Sequence, residues 1–379
     1  MRKKIVLAVT VSESIEFFDS IIGGGVEQGY EIVVVSSPGK ELDALKENKV
    51  KTIPLSMARR ISVIKDISSL IKMIIVFIKE RPYMVHSMTP KAGLLCMLAS
   101  WICRVPKRVH TFTGLVWPTA KGLTKKILML ADSIICSCAT HVIPEGQGVL
   151  LDLKTSGVCK KPMKVLGYGN VKGVDMEHYS LRKEVVAMSK ALEEEHKPFS
   201  FLFVGRIVGD KGINELVSAF EQLNKLRNNT RLFLVGNDES ELDPISDLAK
   251  RLIASNKAIH LEGSKYGDEL LAYYAASDCF VFPSYREGFP NVVIEAGAMG
   301  LPSIVTNING SREIIVPKEN GVIIPPKNEE ALYEAMLHMV DNPSERNRMA
   351  RKARPMIEAR FEQGFVRRCF FAFYNELMN

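Results

Sequence analysis

Asp278-Cys279-Phe280-Val281-Phe282-Pro283-Ser284-Tyr285-Arg286-Glu287-Gly288-Phe289-Pro290-Asn291-Val292-Val293-Ile294-Glu295-Ala296 changes character twice. The run from Asp278 to Pro283 is short, apolar and rich in strand formers, so it reads as a buried parallel strand ending at Pro283. Ser284 to Phe289 is then the loop that leaves its carboxyl end. Pro290 sets φ for a first helical turn and lacks the N–H that a helix start leaves unpaired, which places a helix start near Asn291. Open α/β sheets hold their ligands at the carboxyl ends of strands, and Glu287 in the loop and Glu295 one turn into the helix both reach that place. Free helix amides suit a phosphate and carboxylates suit hydroxyls, and a nucleotide-sugar carries both. Taken singly, Glu295 is a first-turn acid favoured by the helix dipole and Glu287 a solvated loop charge. The whole string, not the two letters, points to a ligand.

The same alternation of strand and helix runs through the chain, as in a doubly wound sheet. In the first half, Ile5 to Val9, Glu31 to Ser36, Met84 to His86 and Arg108 to Phe112 read as strands. In the second, Phe199 to Val204, Arg231 to Val235, Ala258 to Leu261, Phe280 to Phe282 and Ser303 to Thr306 do. Residues 176–198 are charged and poorly periodic, with Glu193-Glu194-Glu195 inside them, and read as a linker. At 379 residues the chain exceeds what one core organises, so two domains are expected, residues 1–178 and 198–360. Phe365, Cys369, Phe370, Phe373 and Leu377 share one helical face, so the tail 361–379 forms a helix apolar enough to pack on a core.

After Val204 comes Gly205-Arg206-Ile207-Val208-Gly209-Asp210-Lys211-Gly212-Ile213. Arg206 and Lys211, five residues apart in one glycine-bearing loop, can converge on one pyrophosphate; the plain alternative is two surface charges beside Asp210. Negative charge builds on the departing oxygen as a sugar leaves a nucleoside diphosphate, and cations placed there stabilise it. No Asp-x-Asp metal clamp occurs in the chain, so no metal ligands and no cofactor are expected, and transfer is expected without a divalent ion.

These residues together resemble the retaining glycosyltransferases of the GT-B fold, family 4 or group 1, marked by a Glu-x7-Glu pair in a Gly-Phe-Pro context. The resemblance is to the bacterial capsular and exopolysaccharide type. It implies an α/β fold of two Rossmann-like doubly wound domains facing across a cleft, with the C-terminal helix crossing back to the first domain. It gives Glu287 to the donor sugar hydroxyls, Glu295 to the ribose, and Arg206 and Lys211 to the pyrophosphate. The resemblance also implies that Gly288, Phe289, Pro290, Asn291 and Val292 line the same donor site, and that backbone atoms of the loop Glu262 to Gly267, with Gly263 and Tyr266, face the base. Asn309-Gly310-Ser311-Arg312-Glu313 resembles the family's Gly-x-x-Glu segment and closes the site through a helix start.

The first half carries the acceptor-side segments His86-Ser87-Met88-Thr89-Pro90-Lys91-Ala92-Gly93 and His110-Thr111-Phe112-Thr113-Gly114-Leu115. They are similar to segments of bacterial enzymes acting on lipid-linked sugars, as are Ile143 to Gly146 and Gly167 to Asp175. Many relatives carry His where this chain has Met88 and Thr113. His110 and His86 are the remaining candidates for handling the acceptor's proton, and the plain alternative for each is an ordinary strand-end histidine. Thr113, Thr89 and Lys91 are candidates to position the acceptor. The loop Thr10 to Ser14, with Ser12, is expected to approach the diphosphate, by fold analogy. Gly23-Gly24-Gly25 lacks phosphate-loop spacing and reads as close packing or a weakened helix.

Residues 1–180 hold 25 Lys and Arg against 15 Asp and Glu, whereas residues 181–379 hold 25 against 28. The basic half favours an anionic partner, a phosphate-bearing lipid carrier or the anionic face of a membrane, or is simply a solvated basic face. Nucleic acid is not the expected partner, because aromatics are not interleaved with the basic clusters and no reader motif appears. Seven cysteines without a Cys-x2-Cys pair argue against a disulfide framework and a zinc site, and fit a reducing cytoplasm. The apolar run after Met1-Arg2-Lys3-Lys4 is too short for a signal peptide. Lys65, Asp66 and Lys72 break the stretch Ile61 to Ile78, so no membrane span is expected. The expectation is a cytoplasmic enzyme held peripherally at the inner face of the plasma membrane. It would move a sugar from a UDP-linked donor to a saccharide on a polyprenyl diphosphate. The rival readings are a non-hydrolysing UDP-sugar 2-epimerase and a nucleotide-sugar-binding subunit with little or no catalysis.

Overall fold

The strand-forming runs wind into two parallel sheets in the computed structural model, which describes residues 3–47, 50–58, 62–192, 197–239 and 243–378. Within those residues the first sheet is built from β1 (Lys4–Ala8), β2 (Glu31–Ser36), β3 (Lys51–Pro54), β4 (Met84–Met88), β5 (Lys107–Phe112) and β6 (His141–Pro144). Its helices are α1 (Asp19–Glu27), α2 (Lys40–Glu47), α3 (Val63–Glu80), α4 (Pro90–Ile102), α5 (Gly122–Cys138) and α6 (Gln147–Thr155). The second sheet has β7 (Phe199–Val204), β8 (Thr230–Val235), β9 (Ile259–Gly263), β10 (Cys279–Phe282), β11 (Ser303–Thr306) and β12 (Gly321–Ile324). Around it lie α7 (Lys183–Lys190), α8 (Ile213–Leu226), α9 (Asp247–Ser255), α10 (Gly267–Ala275), α11 (Asn291–Ala298), α12 (Ser311–Ile314), α13 (Glu329–Asp341) and α14 (Pro343–Phe361). The last helix, α15 (Gln363–Met378), belongs with the first sheet.

The chain divides into two compact units, residues 1–173 with 363–379, and residues 174–362. Strand order is β3-β2-β1-β4-β5-β6 in one and β12-β11-β10-β7-β8-β9 in the other. Both orders reverse once, between β1 and β4 and between β7 and β10, and such reversals open a crevice at the carboxyl ends of the strands. The central strands are apolar on both faces, as parallel strands sandwiched between helices must be: Ile5, Val6, Leu7 and Ala8 of β1 are fully buried, as are Phe201, Leu202 and Phe203 of β7. In the first unit α3, α4, α5 and α6 share one core with one face of the sheet, while α1, α2 and α15 share the other.

The close-packing reading of the glycine triplet is what α1 contains. A Cβ on Gly24 would lie 2.5 Å from the Phe371 ring of α15, so the helices meet because that side chain is missing. Residues 176–198 are not the linker expected. They carry α7, whose Val185 is fully buried in the core of the second unit and which packs on α10. One buried stripe among charges explains the misreading; Glu193 to Glu195 lie outside the described residues. The first unit therefore ends at Gly173 instead of 178, and the second begins at Val174 instead of 198. Among the described residues no helix is long and apolar enough to cross a membrane.

Candidate functional site

At the reversal in the second sheet, β10 pairs with β7, with Cys279 opposite Phe201. The loops that follow them, 205–212 and 283–290, are therefore neighbours, and specific contacts lock them together. Gly212 has φ +73, and a Cβ there would run into the Pro283 carbonyl, so only glycine lets the loops close up. The Tyr285 amide donates to the Asp210 carbonyl at 2.9 Å, and the Arg286 guanidinium meets the Asp210 carboxylate at 3.2 Å. Lys211 Nζ forms an ion pair with Glu287 Oε1, which also accepts from Ser284 Oγ at 2.9 Å. Lys211 lies 5.5 Å from the Phe282 ring centroid, so an aromatic face supports the cation from one side.

A third loop, after β11, braces this pair. A Cβ on Gly310 would sit 2.6 Å from the Gly288 carbonyl oxygen and 2.7 Å from Pro290 Cδ, and Thr306 Oγ1 donates to the Ser284 carbonyl. Glu313 Oε1 accepts the Gly310 amide at 3.3 Å. The segment expected to close the site thus stands against Gly288, Phe289 and Pro290, although its helix, α12, has only one turn. Phe289 is buried with its ring 5.5 Å from that of Phe361, which anchors the loop from below.

The helix after the loop begins at Asn291, as its sequence predicts, with Pro290 as N-cap and Val292 half-buried in the first turn. Glu295 is 9% exposed and its Oε2 accepts from Tyr274 Oη at 3.2 Å. Burial, reinforced by the Glu295 charge, pushes the Tyr274 phenol well above its ordinary range, so it stays a donor. The two carboxylates are thus held differently, Glu287 by a cation and Glu295 by a buried phenol.

Arg206 bonds Glu239 at 3.2 Å and is about half exposed. The loops after β8 and β9 continue the same edge: the Gly236 amide donates to the Gly263 carbonyl at 2.9 Å, and Ser264 Oγ to Asn237 Oδ1 at 2.7 Å. Gly263 ends β9, and Tyr266, strongly exposed, caps α10. Arg206, Lys211, Glu287, Gly263 and Tyr266 thus all stand at the carboxyl edge of one sheet.

In the first unit the loops after β1 and β4 are tied by Thr10 and Thr89. The Thr10 amide donates to Thr89 Oγ1 at 3.0 Å, and the Ala92 amide to Thr10 Oγ1 at 3.1 Å. Thr89 has φ +69, an unusual conformation for a β-branched residue, held where α4 begins. Ser12 is buried and donates to Glu41 at 2.7 Å, Lys91 pairs with Asp66 of α3, and Thr113 is half-buried just beyond β5.

His110 is 1% exposed, bonded through Nδ1 to Ser87 Oγ at 2.9 Å, with its ring filling the space that a Cβ on Gly93 would take. Burial lowers its pKa from 6.5 to about 3, so it is a neutral imidazole. His86 is fully buried between Tyr374 of α15 and Thr111, 2.7 Å from Nε2, and burial likewise takes it to about 3. Its position is that of a strut between helix and sheet.

A sequence profile described as Glycosyl transferases group 1 matches residues 186–356, and one described as Glycosyl transferase 4-like domain matches residues 17–169. The capsular polysaccharide biosynthesis glycosyltransferase CapM of Staphylococcus aureus is 33% identical over 99% of this chain and 98% of its own length. This chain belongs to the group 1 glycosyltransferases. An Escherichia coli enzyme named UDP-Gal:alpha-D-GlcNAc-diphosphoundecaprenol alpha-1,3-galactosyltransferase is 27% identical over 76% of this chain and 74% of its own. Among solved structures, Anabaena HepE in complex with UDP superposes with a TM-score of 0.81 at 17% identity, covering 99% of this chain and all of that one. That likeness shows the GT-B fold.

Several residues of the glycosyltransferase's loops escape a reading of the sequence. Asp210 and Arg286 stitch the two loops, and Tyr285 Oη donates to Glu215 of α8 at 2.5 Å while Lys327 lies 4.7 Å from its ring centroid. Burial and the Glu215 bond raise the Tyr285 phenol's pKa, keeping it a donor. Their one signal was position, directly after strands already read as ligand-facing.

Proposed function

We propose that this glycosyltransferase moves a sugar from a UDP-linked donor to a saccharide on a polyprenyl diphosphate, with retained configuration, in assembly of a bacterial surface polysaccharide. The observation that carries the proposal is the meeting of Lys211 and Glu287 across two loops at the sheet reversal. A ligand with phosphates and hydroxyls satisfies both partners at once. Lys211 and Arg206 turn to the pyrophosphate, Glu287 accepts from sugar hydroxyls, and Glu295 takes the ribose. Amides at the start of α11, at Asn291 and Val292, face the phosphate. Gly263 and Tyr266 flank the base. On the acceptor side, Ser12, Lys91 and Thr113 position the incoming saccharide, and His110 supports that edge as a neutral group bonded to Ser87.

In the transfer step the bond from the sugar's anomeric carbon to the diphosphate oxygen breaks and one to the acceptor oxygen forms on the same face. The acceptor's proton goes to the departing phosphate, and Arg206 and Lys211 stabilise the charge developing there, without a divalent ion or cofactor. The names of CapM and of the E. coli diphosphoundecaprenol enzyme support the surface-polysaccharide setting and the lipid-linked acceptor.

The test is transfer of labelled sugar from a UDP-sugar panel to a polyprenyl-diphosphate-linked saccharide by wild type and Glu287→Ala. The variant is expected to lose about a hundredfold or more of the rate; undiminished transfer would remove Glu287 from the reaction. Product formed from the nucleotide-sugar alone would favour the epimerase reading, and donor binding with no turnover on any lipid-linked acceptor the binding-subunit reading.

A further inference from the structure

The first unit exposes an apolar stripe that its own core does not use. Helix α3 buries Ser69, Met73 and Phe77 against the sheet, yet Ile64, Ile67, Ile71, Ile75 and Ile78 are 45% to 84% exposed. At roughly 100° per residue the five isoleucines fall within an arc of about 80° on the side opposite the buried one. A helix apolar on both sides is suited to two apolar neighbours, and the protein supplies one. The stripe is not isolated. Helix α4 packs against both α3 and α5, Leu123, Ile127 and Leu130 are exposed along α5, and Trp101 and Ile102 stand exposed at the end of α4.

The charges around this face are of one sign. Lys65, Lys72 and Lys79 recur every seven residues along one flank of the isoleucine stripe, all exposed, and Lys121 and Lys126 stand exposed at the start of α5. The acids of α3, α4 and α5 are already engaged: Asp66 with Lys91, Glu80 with Lys4 and Lys51, and Asp132 with the Trp117 indole N–H.

We infer that the α3–α5 face docks on an anionic lipid bilayer, with the isoleucine and leucine side chains entering the acyl boundary and the flanking lysines reaching headgroup phosphates. An amphipathic surface rimmed by lysines is what an in-plane membrane contact requires. A second copy of this chain suits the face less well, because a two-fold contact would bring lysine rows together. The biological meaning rests on the reading of a lipid-linked acceptor: helices α3, α4 and α5 begin at the sheet edge that carries the loops after β4 and β5. Vesicle binding itself needs neither acceptor nor transfer.

The experiment is cosedimentation of the full chain with phosphatidylcholine vesicles and with vesicles of phosphatidylcholine and phosphatidylglycerol in equal parts. Two triple variants that should keep the wild-type melting temperature are compared, I64Q/I71Q/I78Q and K65E/K72E/K79E. Wild type is expected to bind the mixed vesicles and to be released by salt. The isoleucine variant should weaken binding about tenfold or more, and the lysine variant by about fivefold per charge, with loss of the preference for anionic lipid. Three results would overturn the proposal: no binding by wild type, binding by either variant equal to wild type, or a wild-type dimer that the isoleucine variant dissociates without loss of vesicle binding. Vesicle binding without transfer to any lipid-linked acceptor would instead sink the functional reading alone. Transfer to a detergent-dispersed acceptor without vesicle binding would sink only this one.

Discussion

Glu287 and Lys211 hold one another where two loops meet, each largely shielded from water. Removing one leaves the other a half-buried charge without its partner, which costs more than the pair gains. Lys211→Ala is therefore expected to lower transfer about a hundredfold or more, the cost of losing a charge aimed at a leaving group. A rate within twofold of wild type would remove Lys211 from that role. The chemistry assigned to these cations also predicts that a chelator leaves the rate unchanged; loss of activity restored by magnesium would contradict it. His86 and His110 behave differently, because burial takes both from 6.5 to about 3. The unfolded chain takes up protons below pH 6.5 that the native histidines refuse, so their contribution to stability is present above that pH and lost as pH falls toward 3. Denaturant unfolding followed between these limits should show that decline, and it should flatten in His86→Gln; an unchanged slope would show that His86 is not neutral in the native state.

Which elements were legible in the sequence follows from burial. Strands flanked on both sides, such as β1, β7 and β10, are continuous apolar runs and could be read within a residue or two. The strands missed, β3, β6 and β12, each have four residues and lie at sheet edges, and Pro54, Pro144 and Gly321 shorten their runs of strand formers. The loop and helix start from Ser284 to Glu295 were legible because Pro290 and the strand before it fix where the chain turns. The ion pair of Lys211 and Glu287 was not, because residues so distant in sequence meet only once the sheet order is known. The burial of His110 was not legible for a similar reason, Gly93 packing on its ring from a helix behind it. Helix α15 buries Val366, Phe370, Phe371, Phe373, Tyr374, Leu377 and Met378. At about 1.5 to 3 kcal/mol for each large apolar side chain, its burial amounts to some 10 kcal/mol or more. A domain's net stability is only about 5 to 15 kcal/mol. Ending the chain at Glu362 is therefore expected to unfold the first unit, seen as proteolysis confined to residues before 174; a protease-resistant first unit would contradict it.

Across the whole chain, charge and chemistry are divided. The basic excess lies in the first 180 residues, whereas Arg206, Lys211, Glu287 and Glu295 belong to the second unit. A ligand that binds one native unit stabilises that unit by mass action, so a nucleotide bound at the sheet reversal raises the melting temperature of the second unit. The proposed function rests on Arg206 and Lys211 gripping a pyrophosphate there. Its most direct test is calorimetric titration of UDP into wild type, Arg206→Ala, Lys211→Ala and, as a control on an exposed helix, Lys250→Ala. Each loop variant is expected to weaken UDP binding by about tenfold, the scale of a lost charge-assisted hydrogen bond, while Lys250→Ala binds as wild type. UDP affinity unchanged in both Arg206→Ala and Lys211→Ala would contradict it.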